Sequence, residues 1–261
     1  MAASFASRYG PWAIIAGASE GLGAAFAAAL AARGVNLVLL ARRAALLQDL
    51  AETLRANAQV EVRTQACDLA REDLAAVLGA LAADVEVGLG IYNAAYAPVG
   101  ELLERSLDDL DRVVDVNVRG PLVFARTLAA HMVARRHGGI VLMSSLAGDQ
   151  GAPRIAAYAA SKSFNRVLGE GLWRELRPKN VDVLVACAGA IRTPGYLKSA
   201  GRDAPGALDA ATVVEAALTA LGSGPVVTPG ATNQLARFVL GRLLPRRAAI
   251  EIMARSTAGL S

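Results

Sequence analysis

The 261-residue sequence predicts an α/β fold, doubly wound, with a mostly parallel seven-stranded sheet between helices on both faces. Three observations predict it. Seven short apolar runs alternate with longer stretches of helical periodicity. Most of these runs are continuous, as strands buried on both faces require. A glycine-rich turn stands at the first strand-to-helix junction.

Residues 12–16 are the first strand, and the helix at 22–33 is stopped by Gly34, a residue suited to the left-handed backbone past a helix end. Residues 35–40 are a second buried strand and 44–55 a helix. Residues 60–66 alternate apolar with polar, the pattern of a half-exposed strand; a helix at 71–82 and a strand at 85–93 follow. Residues 107–136 read as one long helix bent at Pro121, whose nitrogen has no hydrogen to donate. Strand 140–145, helix 156–176, strand 181–187, helix 211–221 and a short strand at 225–228 complete the pattern. No linker-like tract or internal repeat divides the chain, so 1–261 is expected to form one domain, with a substrate loop at about 188–210 and a helical tail at about 231–261.

An apolar content of 54% excludes disorder, and no apolar run approaches the length of about 18 residues that a membrane span needs. Cys67 and Cys187 are far apart, so no disulfide framework is expected and a reducing, cytoplasmic setting is. The only histidines, His131 and His137, lie near a helix end without a carboxylate or thiol cluster, so no metal is expected. The net charge of +4 comes from dispersed arginines with 5% aromatics, which speaks against nucleic acid.

Ala16-Gly17-Ala18-Ser19-Glu20-Gly21-Leu22-Gly23 lies between the first strand and first helix, the context in which such a string marks a dinucleotide pyrophosphate site. At the end of the second strand no acid is present to hold a ribose 2′-hydroxyl. Arg42 could instead pair with a 2′-phosphate, which favours NADP over NAD, or Arg42 and Arg43 could simply open a solvated helix. Asp68, followed by Leu69, could meet an adenine amine or cap the next helix.

Tyr158 and Lys162 stand four apart on one helical face, where an ammonium can lower a phenol's pKa. Ser145 ends a strand 13 residues earlier and can donate to a carbonyl oxygen, and Asn117 lies on the preceding long helix. In order, these elements resemble the short-chain dehydrogenase/reductase family, whose TGxxxGxG, NNAG, Asn, Ser and YxxxK motifs have counterparts over roughly residues 10 to 230. The resemblance implies a Rossmann-like fold and an oxidoreductase. It makes Tyr158 the proton donor, with Lys162 lowering the tyrosine's pKa and holding the nicotinamide ribose. Ser145 would orient the substrate, and Asn117 would support a proton-relaying water. It assigns cofactor contacts to Gly17, Ser19, Gly21, Leu22, Gly23, Arg42, Asp68, Leu69, Asn93, Ile191 and Thr193, besides Tyr158 and Lys162.

The sequence departs from the family pattern at Ala16, Tyr92, Ala95 and Ala188; the first change and those at 92 and 95 put in doubt a hydroxyl-based link between neighbouring turns. The small apolar stretches at 95–100, 146–152 and 190–209 predict a mainly hydrophobic ketone, aldehyde or alcohol as substrate. A non-catalytic NADP sensor and a β-ketoacyl-type reductase are the alternatives. The family's long helices commonly pair, which implies a homodimer or homotetramer, and the basic amphipathic tail could pack over the pocket, meet a subunit or touch a membrane.

Overall fold

In the computed structural model, which describes residues 4–194, 196 and 206–260, the strand β1 (Trp12–Ala16) is wholly buried. Ala13 and Ile15 enter one core cluster, while Trp12, Ile14 and Ala16 enter another on the opposite sheet face. In β2 (Asn36–Ala41), Leu37 and Leu39 take the first side, Val38 and Leu40 the second. Both faces are dry, and this is why the runs are apolar throughout rather than alternating.

Strands β3 (Val62–Ala66), β4 (Val87–Tyr92), β5 (Gly138–Ser145), β6 (Val181–Ala188) and β9 (Val226–Val227) complete a parallel sheet in the order β3-β2-β1-β4-β5-β6-β9. Helices α2 (Gly21–Ala31), α3 (Ala44–Asn57) and α8 (Ala210–Ala220) pack on one face. On the other lie α4 (Leu74–Asp84), α6 (Gly120–Arg135) and α7 (Ala156–Leu176). Because β1 has β2 on one side and β4 on the other, the winding reverses beside it. A crevice therefore opens above the carboxyl ends of β1 and β4, at Ala16 and Tyr92, where folds of this kind bind ligands.

The expected long helix is broken more sharply than a single proline bend. It divides into α5 (Leu107–Val114), a wide i→i−5 turn over Asp115–Arg119, and α6. In that wide register residue 121 would donate to the Val116 carbonyl, and Pro121 has nothing to donate. The Tyr92 hydroxyl supplies the missing bond at 2.6 Å. Gly120 leaves the room, since a Cβ there would stand 2.1 Å from the Tyr92 oxygen.

Strand β6 runs to Ala188, one residue beyond expectation, in register with Ser145; alanine, unlike the family's usual proline, keeps an N–H for the ladder. Helix α1 (Phe5–Tyr9), capped by Ser4, is an element that periodicity could not find in five residues. Among the described residues no helix is long and apolar enough to cross a membrane.

Candidate active site

The turn from Gly17 to Gly23 crosses the crevice. Gly17 and Ala18 donate to the Leu40 carbonyl at 2.8 and 3.1 Å, and Asn93 and Ala94 donate to the Ala16 carbonyl at 2.9 and 3.0 Å. The Asn93 amide adds a 2.9 Å bond to the Gly17 carbonyl. Main chain and Asn93 thus join the two turns without the hydroxyl that Ala16 lacks. The glycines serve the protein's own packing. A Cβ at Gly17, where φ is +83°, would meet Ala94 at 2.7 Å, and one at Gly23 would stand 2.0 Å from the Gly17 carbonyl oxygen. At Gly21 a Cβ would be 3.1 Å from the Thr193 side chain, so the segment after β6 lies over the turn. Helix α2 starts here without a side-chain cap from Glu20, leaving its first-turn N–H groups to a ligand or solvent. An uncapped helix start on a tight glycine turn at the switch point suits the pyrophosphate of a dinucleotide.

Arg43 pairs with Glu20 at 2.7 Å and donates to Ser19 Oγ at 2.9 Å. Arg42 forms no ion pair among the described residues; against the upward push of burial, Asp68 is held below the usual carboxylate range chiefly by Arg112 and the Ala70 N–H, with Arg42 adding the least. Asp68 does not cap α4, which starts at Leu74 after Asp73 rather than at 71. It accepts from the Ala70 N–H at 3.1 Å and from Arg112 of α5 at 2.8 Å, a partner its sequence neighbourhood does not contain. Leu69 beside it is buried. Ile191 lies in the short strand β7 (Ile191–Arg192), paired with β8 (Leu208–Asp209); residues 195 and 197–205 of the expected substrate loop lie outside the described residues.

Ser145, Tyr158 and Lys162 converge. The end of β5 and the turn after it are each bound to α7: Ser144 Oγ donates to the Lys162 carbonyl at 2.7 Å, and Ser163 Oγ donates to the Gly148 carbonyl. That closeness brings the Ser145 hydroxyl to the Tyr158 phenol. Lys162 Nζ donates to the Met143 carbonyl at 3.1 Å and stands 5.5 Å from the Tyr158 ring centre. Asn117 sits in the wide turn rather than on a regular helix and is fully buried. Its amide accepts from the Tyr96 N–H at 2.7 Å and donates to the Tyr96 carbonyl at 2.7 Å and Ser161 Oγ at 3.1 Å. The main chain after β4 is thereby tied to the tyrosine's helix.

The short chain dehydrogenase family profile matches residues 11–201. The chain belongs to the short-chain dehydrogenase family. It is an oxidoreductase acting between CH–OH and C=O groups. A 7beta-hydroxysteroid dehydrogenase of Clostridium sardiniense is 32% identical over 212 residues, 81% of this chain and 81% of that protein. A solved structure titled for the stereoselectivity of 7beta-hydroxysteroid dehydrogenase superposes with a TM-score of 0.88 at 26% identity, covering 96% of this chain and 99% of the other. A short-chain dehydrogenase from Sphingobium yanoikuyae, solved in complex with NADPH, gives a TM-score of 0.77 at 32% identity over 84% of this chain and 87% of its own.

The electrostatics of this dehydrogenase differ from expectation at the tyrosine. Burial pushes the Tyr158 phenol above its ordinary value, and the neighbouring Ser145 hydroxyl pulls the other way. Lys162 is not what dominates it in the protein alone. The lysine itself is 3% exposed, and burial drives its ammonium from 10.5 down to about 8. Above the lower value the folded chain sheds this proton while the unfolded chain keeps it, so stability rises as pH goes from about 8 to 10.5. The gain from this one group is on the order of 3 kcal/mol. Lys162→Met is expected to flatten that rise relative to wild type in urea unfolding at successive pH values; an unchanged slope would contradict the assignment. Sequence reasoning missed Arg43, Arg112, Tyr96 and Ser161, whose partners lie on other elements; only the Arg-Arg pair gave a signal.

Proposed function

We propose that this short-chain dehydrogenase interconverts a mainly apolar ketone or aldehyde and its alcohol, with NADP(H) preferred over NAD(H). The observation that carries the reading is the convergence of the Ser145 hydroxyl, the Tyr158 phenol and the Lys162 ammonium next to the switch-point crevice. Bound there, NADPH would supply the hydride that reduces the carbonyl carbon. Ser145 donates to the carbonyl oxygen and holds it, and Tyr158 passes its proton to that oxygen as negative charge develops. Lys162, fixed on the Met143 carbonyl, favours the phenolate left behind and would hold the nicotinamide ribose. Asn117, buried in the wide turn, supports the water through which Lys162 recovers a proton.

Gly17, Ser19, Gly21, Leu22 and Gly23 would hold the pyrophosphate, Asp68 and Leu69 the adenine, and Asn93, Ile191 and Thr193 the nicotinamide end. Arg42 meets the 2′-phosphate, supported by its lack of an ion pair among the described residues. Apolar substrates suit the wall beside Tyr158, where Ala147, Ala152, Ala159, Ile155 and Met253 cluster. An apolar groove of about 290 Å³ between α6 and α7, lined by Leu122, Ala129, Val133, Leu168 and Leu172, suits a homodimer or homotetramer. The two free, buried thiols suit a reducing cytoplasm, with residues 1–261 acting as one catalytic domain.

The test is a carbonyl panel spanning apolar ketones, aldehydes, sugar phosphates and a 3-oxoacyl thioester, run with NADPH and NADH in parallel on a sample sized by sedimentation velocity. Apolar carbonyls with NADPH are expected to lead, from a species larger than a monomer. Arg42→Ala should raise the KM for NADPH about tenfold and leave that for NADH nearly unchanged. A lead for NADH or for multiply charged substrates would overturn the reading, and tight NADPH binding without any turnover would make the protein a sensor.

A further inference from the structure

The chain beyond β9 folds back across the segment that joins Ser145 to Tyr158. Helix α9 (Ala231–Phe238) reaches it through Arg237, whose guanidinium lies 3.4 Å from the buried Asp149 carboxylate, which also pairs with Arg166 of α7. Helix α10 (Arg246–Thr257) then crosses the segment and is held at both ends. At its start Arg246 donates to the Asp149 carbonyl at 2.6 Å. Past its end the Leu260 carbonyl accepts from Arg154 at 2.9 Å.

Arg154 has φ +66°, a left-handed conformation that a non-glycine residue adopts only where its surroundings impose it. Its own carbonyl accepts from the Gly100 N–H at 2.9 Å, so one strained residue binds the segment after β4, the segment before Tyr158 and the chain's end. Between the two latches α10 turns an inner face downward at helical spacing. Ala249 and Thr257 are buried, Ile250 rests against Gly151, and Met253 packs on the cluster of Ala147, Ala152 and Ala159, against which Tyr158 also packs. Arg247, Glu251, Ile252 and Arg255 face outward.

We propose that α10 is a specificity-determining strap, in which Met253 sets the bulk a carbonyl substrate can carry beside Tyr158 and Arg154 is the positioning residue that seats it. The proposal rests on the carbonyl-reductase reading above. A methionine suits the place, because an unbranched thioether fills an irregular apolar gap and yields to different shapes. Its place on the alanine cluster that Tyr158 shares bounds the room beside the tyrosine, and one methylene gained or lost in such a pocket changes substrate choice by about 10-fold to 200-fold.

Met253→Ala and Met253→Trp are assayed with NADPH on acetophenone, which has one small substituent, and benzophenone, which has two large ones. The ratio of kcat/KM for benzophenone over acetophenone is expected to rise about tenfold in the alanine variant and fall about tenfold in the tryptophan variant. Arg154→Ala should raise KM for both ketones about tenfold with kcat and the KM for NADPH little changed, and Arg154→Lys should recover part of the loss. A ratio that moves in neither Met253 variant, each melting as wild type does, overturns the proposal and leaves carbonyl reduction standing. If the wild type turns over neither ketone, the reading of function fails instead. The strap is then judged by calorimetric titration of benzophenone, where affinity indifferent to residue 253 overturns it and tighter binding by the alanine variant upholds it.

Discussion

Tyr158→Phe is expected to lower kcat by roughly 10³-fold while leaving NADPH affinity within about twofold of wild type. The change removes one oxygen. The ring keeps its packing against Ala147, Ala152 and Ala159, so the wall of the pocket stays in place. What disappears is the proton the carbonyl oxygen must receive. Because Lys162 is anchored on the Met143 carbonyl and not on the phenol, its ammonium remains where it is. Steady-state rates with the best ketone of the panel, set beside a fluorescence titration of NADPH, separate chemistry from binding. Turnover at the wild-type rate would remove Tyr158 from the mechanism.

Gly23→Ala should abolish measurable NADPH binding and cost about 3 kcal/mol of stability. The new Cβ would lie 2.0 Å from the Gly17 carbonyl oxygen and 2.9 Å from both Ala18 Cα and the Asn93 amide nitrogen. Two of these three neighbours are main chain and cannot rotate away. The turn must open, pulling Gly17 from the Asn93 amide and shifting the start of α2. Urea unfolding and a cofactor titration on the same preparation check both halves. Wild-type values in either would mean that the turn has slack the geometry denies.

Much of the fold was legible because two simple signals agree with it. Continuous apolar runs such as 12–16 and 35–40 need both faces covered, and the glycine string follows the strand at whose edge the winding reverses. Tyr158 and Lys162 were legible through their spacing of four, which is a property of the helix itself. The rest depends on partners that are remote in sequence. Asp68, open in the sequence between an adenine contact and a cap of the next helix, is held by Arg112, 44 residues on. Arg42 and Arg43 are adjacent, and only the folded turn decides that Arg43 is the one bound to Ser19 and Glu20. The latch between Arg154 and Leu260 spans 106 residues, and the direction of the Tyr158 shift follows from burial. Periodicity carries no information on any of these.

Tyr92 and Gly120 constrain each other in a way that bears on how this sequence can vary. Restoring the family's asparagine at 92 would strand the Val116 carbonyl without its buried donor and leave a void against the Phe124 ring, whose centre is 5.4 Å from that of Tyr92. Enlarging residue 120 first would drive a side chain into the tyrosine oxygen. Neither exchange is neutral alone, so the pair behaves epistatically, and a substitution tolerated in a family member with asparagine at 92 does not transfer to this background at position 120.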